Sequence, residues 1–206
     1  MIDKFKNYIF DFDGTIANSN KFHNIAFKKT LKTHKKILNK FKYENVKGLA
    51  TGDAFKKIGI INEINKLTKL KRLYFKSQIH KIDLYKNSKE TLNLLKKKKK
   101  KIFIVSGASK KNIKFVLKKN KIKVNGIISS ENTQFSKPHI MPYKMCIIKY
   151  KLNKKYSVVI EDAISGIVSA KKNKLITIGI NNKKIKSKSD FFFSNFSIFL
   201  KKLKKS

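Results

Sequence analysis

The sequence predicts an α/β fold: a parallel sheet with helices on both faces and a helical segment inserted after the first strand. Two observations support this. Apolar strand-like runs alternate with helix-periodic segments through the second half of the chain, whereas residues 18–82 show helical spacing and no convincing strand. Strand–helix–strand repetition joins parallel strands, so one sheet between two helical layers is expected. A chain of 206 residues is long enough to bury such a core.

The predicted strands are short apolar runs. The first ends at Phe10, and the others cover residues 102–105, 126–129, 157–160 and 175–179. Helices are predicted at 111–119, 143–150 and 164–172, and the Lys-rich C-terminus is expected to be a frayed helix. The lysine tract 96–101 is interpreted as a solvated helix end and a turn into a strand.

The inserted segment divides the chain into two predicted domains. Residues 1–17 and 83–206 would form the α/β core, and residues 18–82 a separate helical domain. Because parallel sheets bind ligands beyond the carboxyl ends of their strands, functional side chains are expected at those ends.

The charge is unusual, since 51 Lys and Arg residues against 12 Asp and Glu give a net charge of +39. A polyanion binder would explain it, but so would a compositional bias toward lysine. The lysines are spread along the whole chain, and Arg72 is its single arginine although nucleic-acid readers favour arginine. Nucleic acid is therefore an unlikely partner, and the charge opposes close self-association at low salt; the sequence defines no oligomeric state.

Cysteine usage and hydropathy point to the cytoplasm. Cys146 is the single cysteine, so an internal disulfide and a cysteine metal site are excluded. No apolar stretch approaches the length of a membrane span, and no signal-peptide core precedes the first strand.

The most informative residues follow the first strand, where Asp11 and Asp13 lie one residue apart before Gly14. Side chains at i and i+2 share one side of an extended chain, so both carboxylates are expected at the strand tip. Two neighbouring carboxylates repel each other unless a cation lies between them. The pair therefore suggests a magnesium-dependent reaction on a phosphate.

Three later segments place polar residues after predicted strands. Ser106 and Gly107 follow residues 102–105, Lys137 precedes one of only two prolines in the chain, and Glu161 and Asp162 follow residues 157–160. Ser106 could instead cap a helix, a position for which Ser109 is better placed. An adjacent acidic pair is unusual in a chain so poor in acids.

These four motifs, in this order, resemble those of the haloacid dehalogenase superfamily of aspartate-dependent phosphohydrolases. The helical insertion is similar to the cap of its phosphoglycolate phosphatase and β-phosphoglucomutase-like subgroup, which often carries Asp where this chain has Asn18. The resemblance implies a Rossmann-like core with an inserted cap.

The resemblance also implies roles for the motif residues. Asp11 would attack phosphorus and form an aspartyl-phosphate, and Asp13 would act as general acid and base. Ser106, the backbone at Gly107 and Lys137 would bind the phosphoryl oxygens. The Mg²⁺ cofactor would be held by a set of oxygen ligands: Asp11, the Asp13 backbone carbonyl, Asp162 and Glu161, the last directly or through water.

The resemblance leaves the substrate open. A phosphatase acting on a small phosphorylated metabolite, such as a sugar, polyol or glycolate phosphate, is expected first, and a β-phosphoglucomutase-like phosphomutase second. Two residues of the inserted segment, His23 and Lys47, are candidates for contacts with the substrate, although His23 could equally be a helix histidine with a local hydrogen bond. A nucleic-acid-binding protein using its basic surface is the alternative from a different class.

Overall fold

Six parallel strands form one sheet in the computed structural model, which describes residues 2–205. Their order in the sheet is β3-β2-β1-β4-β5-β6. The strands are β1 Asn7–Phe10, β2 Lys101–Val105, β3 Gly126–Ile128, β4 Ser157–Glu161, β5 Ile176–Ile180 and β6 Phe191–Phe193. The first strand in sequence thus lies at the centre of the sheet, where its carboxyl end has neighbours on both sides.

The helices of the described chain fall into two groups. Four lie in the inserted segment: α1 Asn20–Thr30, α2 Lys35–Lys40, α3 Thr51–Lys57 and α4 Ile64–Lys76. The others connect or follow the strands: α5 Ser88–Lys97, α6 Lys110–Lys119, α7 Met141–Lys149, α8 Ile164–Lys172 and α9 Phe196–Lys204. None of the helices between residues 2 and 205 combines the length and hydropathy that a membrane span requires.

Both faces of the sheet are covered, because successive side chains of a strand point to opposite sides. Tyr8 and Phe10 of β1 belong to an apolar cluster with residues of α5, α6 and α9. Ile9, between them, packs in a second cluster with residues of α7 and α8. The predicted α/β class, with helices on both faces of a parallel sheet, is confirmed.

The inserted helices have an apolar cluster of their own. Its buried residues include Phe27, Leu31, Phe55 and Leu67. The two chain segments that connect this unit to the sheet pair with each other: Ala17 forms an antiparallel bridge with Leu84, and the backbone N–H of residue 18 donates to the carbonyl of residue 83 at 2.8 Å. The predicted domain limits, 18 and 82, lie beside this pairing; Met1 and Ser206, the outer ends of the predicted core, are outside the described residues.

The C-terminal region differs from the expectation of a frayed helix. Helix α9 buries Phe196, Phe199 and Leu203 completely, so it is a packed element of the core. Strand β6, Phe191–Phe193, is an element that the sequence analysis missed. Three consecutive phenylalanines show no alternation of apolar and polar residues, and the high lysine content hid the apolar face of the helix that follows.

Candidate functional site

The sheet topology brings three predicted segments together. Asp11 directly follows the central strand β1, Ser106 follows its neighbour β2, and Glu161 ends its other neighbour β4. Ladder hydrogen bonds continue one residue past the strands, from the backbone N–H of Asp11 to the carbonyl of Ile160 at 2.9 Å. These three side chains therefore start from one edge of the sheet.

Three carboxylates meet at this edge. One oxygen from each of Asp11, Glu161 and Asp162 lies within 4.8 Å of the others, and all three residues are buried. Burial and the charge of Glu161 raise the pKa of Asp11 well above its usual range. Burial raises the pKa of Asp162 to about 6, although Lys47 acts in the opposite direction.

This donor set suits a hard divalent cation. Carboxylate oxygens are the protein ligands that Mg²⁺ prefers, and the cluster brings three buried carboxyl groups together. Burial, with the charge of Glu161, raises the pKa of both Asp11 and Asp162, so a cation beside them would favour their charged forms. The residues present therefore fit a metal ion.

Lys137 supplies a positive charge inside the cluster. Its Nζ lies 2.6 Å from Asp11 Oδ1, 2.6 Å from Glu161 Oε1 and 2.9 Å from the carbonyl oxygen of Val105. Burial alone would lower the pKa of Lys137, but the two carboxylates raise it, so the side chain stays protonated. Among many lysines, the one before Pro138 is the one that reaches Asp11.

Tyr143 is part of the cluster and was missed by the sequence analysis. From the start of α7 its hydroxyl donates to Glu161 Oε1 at 2.6 Å, and its ring lies 5.0 Å from the Nζ of Lys137. Glu161 Oε2 also accepts from the backbone N–H of Asp162 at 3.2 Å. Glu161 is thereby fixed from several directions.

Asp13 faces the inserted helices instead of the cluster. Ser19 Oγ donates to Asp13 Oδ1 at 2.7 Å, and His23 Nε2 lies 3.3 Å from the same oxygen. Burial favours the neutral acid, but His23, Ser19 and Lys71 together hold the pKa of Asp13 below its usual value. The two aspartates of the first motif therefore have different partners.

His23 connects Asp13 to a buried lysine. His23 Nδ1 lies 2.7 Å from the Nζ of Lys71, and the imidazole stacks on Phe75 at a centroid distance of 3.9 Å. An ammonium group can only donate, so Nδ1 accepts and the ring proton is on Nε2, facing Asp13. Burial and Lys71 lower the pKa of His23, which favours this neutral ring.

Lys47, also from the inserted segment, contacts the cluster directly. Its Nζ lies 2.7 Å from Asp162 Oδ2. One residue later, the carbonyl of Gly48 accepts a hydrogen bond from Ser165 Oγ at 3.1 Å. Burial alone would lower the pKa of Lys47, whereas Asp162 raises it. The helical unit is thus joined to the end of β4.

The segment after β2 places the Ser106 hydroxyl at the site, and Gly107 borders open space there. Ser109 is the N-cap of α6, accepting from the backbone N–H of Asn112 at 3.3 Å. Ser106 Oγ instead accepts from the backbone N–H of Ala108 at 3.1 Å. A Cβ added to Gly107 would have no neighbour within 4 Å, so this backbone borders free space.

A cavity of about 600 Å³ lies beside the carboxylate cluster. It is lined by residues of the predicted site, namely Asp11, Asp13, His23, Ser106, Gly107, Lys137, Glu161 and Asp162. Lys47 does not line the cavity, but it pairs with Asp162, which does. A cavity of this size suits a small ligand.

Solved structures with the same fold come from several bacteria. A hydrolase from Pseudomonas syringae is 20% identical, covers 97% of this chain and 98% of its own, and has a TM-score of 0.85. β-Phosphoglucomutase from Clostridium difficile is 22% identical, with 98% of both chains covered and a TM-score of 0.81. CbbY from Rhodobacter sphaeroides, in complex with phosphate, is 16% identical, with 94% and 95% covered and a TM-score of 0.77.

Sequence comparison identifies the family. No curated protein matches the chain by sequence. The sequence profile of the haloacid dehalogenase-like hydrolases matches residues 8–180, which include every segment that contributes a carboxylate to the cluster. The chain therefore belongs to the haloacid dehalogenase-like hydrolase family.

Proposed function

We propose that the protein is a magnesium-dependent phosphatase that removes phosphate from a small phosphorylated metabolite. The observation that carries this proposal is the contact of Lys137 with Asp11 at 2.6 Å, inside a buried cluster of three carboxylates that borders the cavity. Burial and Glu161 raise the pKa of Asp11, and the ammonium group of Lys137 opposes that effect, so it favours the charged carboxylate that a nucleophile requires. The phosphate in the CbbY complex is consistent with this chemistry.

In the proposed reaction, Asp11 attacks phosphorus and the bond to the leaving oxygen breaks, giving an aspartyl-phosphate. Lys137, the Ser106 hydroxyl and the backbone at Gly107 stabilise the phosphoryl oxygens. Bound Mg²⁺, held by Asp11, the Asp13 carbonyl, Asp162 and Glu161, would offset the repulsion between carboxylate and phosphate.

Asp13 is the proposed proton carrier. It would protonate the leaving oxygen and then accept a proton from the water that hydrolyses the aspartyl-phosphate. Its pKa is low in the free protein, where Ser19 and His23 stabilise the charged form. A phosphate dianion in the cavity would raise that pKa toward the range in which Asp13 can donate.

Residues 18–82 are the proposed cap over residues 1–17 and 83–206. Their separate apolar cluster and the paired connections at Ala17 and Leu84 support a unit able to move against the core.

The buried, unpaired Cys146 is consistent with the reducing cytoplasm, where we place the enzyme. Every α-helix within residues 2–205 carries at least one exposed lysine. The positive charge is therefore spread over the protein and is not concentrated in one surface that would bind nucleic acid.

A phosphomutase is the second candidate. The proximity of His23 to Asp13 at 3.3 Å favours it, because a histidine beside the proton carrier can control when the second proton transfer occurs. The two activities differ in their products. A mutase requires a hexose 1,6-bisphosphate and yields an isomerised sugar phosphate, whereas a phosphatase releases inorganic phosphate.

The deciding experiment measures phosphate release from p-nitrophenyl phosphate. Asp11→Asn should abolish release while leaving the circular dichroism spectrum, and therefore the fold, unchanged. Asp83→Asn, which alters a surface carboxylate paired with Lys119, serves as the matched control and should keep full activity. A chelator should inactivate the wild type, and added MgCl2 should restore it. An active Asp11→Asn protein would refute the proposal.

A further inference from the structure

Arg72, the single arginine among 51 basic residues, lines the same cavity as Asp11. Because this chain uses lysine at almost every basic position, an arginine suggests a requirement that positive charge alone does not meet. A guanidinium group adds what an ammonium group lacks: a planar fork of donors that binds a carboxylate or phosphate through two parallel hydrogen bonds. Its position at the cavity therefore points to an oxyanion ligand.

Arg72 lies at the outer part of the cavity. The preceding residue, Lys71, is only 4% exposed and contacts His23, whereas Arg72 is exposed. Consecutive helical residues project in different directions, so Lys71 reaches inward and Arg72 toward the mouth. Lys76 is four residues further along α4 on the same helix face, and Lys111 of α6 lines the cavity from the core.

These three cations are not neutralised by the protein. Within residues 2–205, Arg72, Lys76 and Lys111 have no carboxylate at ion-pair distance, although Glu131 also lines the cavity. The Glu131 carboxylate accepts instead from the Ser129 hydroxyl and the backbone N–H of Lys110. Burial and the nearby charge of Arg72 lower the pKa of Lys71 to about 8, so these like charges repel.

We propose that Arg72, assisted by Lys76 and Lys111, binds a second anionic group of the substrate, a phosphate or a carboxylate, at the end remote from Asp11. This inference rests on the proposed phosphatase function and narrows its substrate class. The phosphate to be removed lies at Asp11, and a cavity of about 600 Å³ has room for a molecule with a second charged end. Doubly anionic substrates are favoured over polyol monophosphates with neutral ends.

Binding without turnover tests this subsite. Isothermal titration calorimetry on the Asp11→Asn protein in MgCl2 compares fructose 1,6-bisphosphate with fructose 6-phosphate, and 3-phosphoglycerate with glycerol 3-phosphate. The doubly anionic member of at least one pair should bind about tenfold more tightly, as expected for an added charge-assisted hydrogen-bond pair. A preference in the first pair alone identifies a phosphate subsite, and in the second alone a carboxylate subsite.

Adding Arg72→Gln should remove that preference, and Arg72→Lys should restore only part of it because the fork is lost. Lys69→Gln is the matched control: Lys69 is exposed on the same helix but does not line the cavity, so the preference should persist. Equal binding within both pairs, or a preference that survives Arg72→Gln, would overturn the inference. Calorimetry measures binding and does not depend on turnover. A wild-type protein that releases no phosphate would therefore refute the proposed function, but the calorimetric preference for the doubly anionic ligand would still test the subsite.

Discussion

Lys47 Nζ lies 2.7 Å from Asp162 Oδ2, and both side chains are almost completely buried. The pair joins the inserted helical unit to the carboxyl end of β4 and places a lysine against one of the three clustered carboxylates. A buried carboxylate that loses its cation carries a large desolvation cost. Lys47 therefore compensates Asp162 in the same way that Lys137 compensates Asp11.

Replacing Lys47 by Met should destabilise the metal-free protein by about 3 kcal/mol at pH 7.5, since one charge of a buried pair is left alone. The loss should shrink below pH 6, because Asp162, with a pKa of about 6, becomes neutral there and no longer needs a cation. Urea unfolding at pH 7.5 and pH 5 measures both values. Lys42→Met, at an exposed position of the same segment, is the control.

The same variant provides a test of metal binding. In the Lys47→Met protein, MgCl2 should raise the melting temperature more than in the wild type, since the ion supplies the charge that Asp162 has lost. Equal shifts in both proteins would contradict a role of Asp162 in holding the metal.

Tyr143→Phe removes one hydrogen bond to Glu161 and keeps the ring. Burial and the charge of Glu161 raise the pKa of Tyr143 well above its usual range, so the phenol donates throughout the physiological pH range. We expect a loss of about 1–2 kcal/mol in the free energy of unfolding, because a buried carboxylate oxygen loses a donor. Tyr156→Phe, a change at an exposed ring, should have an effect below about 0.5 kcal/mol. Equal losses in the two variants would contradict a special role for the Tyr143 hydroxyl.

Tyr143 also shows where sequence reasoning reached its limit. Asp11, Ser106 and Glu161 could be brought together in advance because parallel strands end at one edge of the sheet. Tyr143 lies on the buried face of α7 beside Cys146, where an aromatic residue has the spacing of an ordinary core position. Only the packing of α7 against the sheet reveals that its hydroxyl reaches Glu161.

Lys71 was missed for a different reason. In a chain with 51 basic residues, no single lysine is informative by its type. Its contact with His23 depends on how α1 packs against α4, which helical periodicity does not specify. Lys137 could be selected only because a proline follows it.

Gly166→Ala should destabilise the protein although alanine is the better helix former. A Cβ at this position of α8 would lie 1.8 Å from Glu161 Oε1, so the carboxylate must shift, and its hydrogen bonds with Lys137 and Tyr143 would be disturbed. Overpacking of this kind costs about 1–3 kcal/mol, which exceeds the helix-propensity gain of about 0.5–1 kcal/mol.

The matched control is Gly52→Ala in α3. Its added Cβ would meet Ile64 at 3.5 Å, an ordinary contact, so this variant should gain stability. Chemical unfolding curves of the two variants should therefore shift in opposite directions. A neutral or stabilising Gly166→Ala would show that Glu161 has room to move without cost.

Lys71→Met should stabilise the protein at neutral pH. Burial is the main cause that lowers the pKa of Lys71 to about 8, from about 10.5 in the unfolded chain. Between these two values the unfolded chain binds more protons than the folded one, so this residue's contribution to stability increases as the pH rises from 8 to 10.5. Below pH 8 the folded protein carries the full cost of a buried ammonium group, up to about 3 kcal/mol at about 1.4 kcal/mol per pKa unit.

Urea unfolding of Lys71→Met and wild type at pH 7 and pH 10 measures this cost. The variant should be the more stable protein at pH 7, and its advantage should largely disappear at pH 10, where Lys71 of the wild type is neutral. Lys69→Met, exposed on the same helix, should show no such pH-dependent difference. The contacts of Lys71 with the rings of Phe27 at 4.8 Å and Phe75 at 5.2 Å reduce the gain without changing its sign. A variant less stable than wild type at pH 7 would mean that these ring contacts and His23 outweigh the desolvation of Lys71.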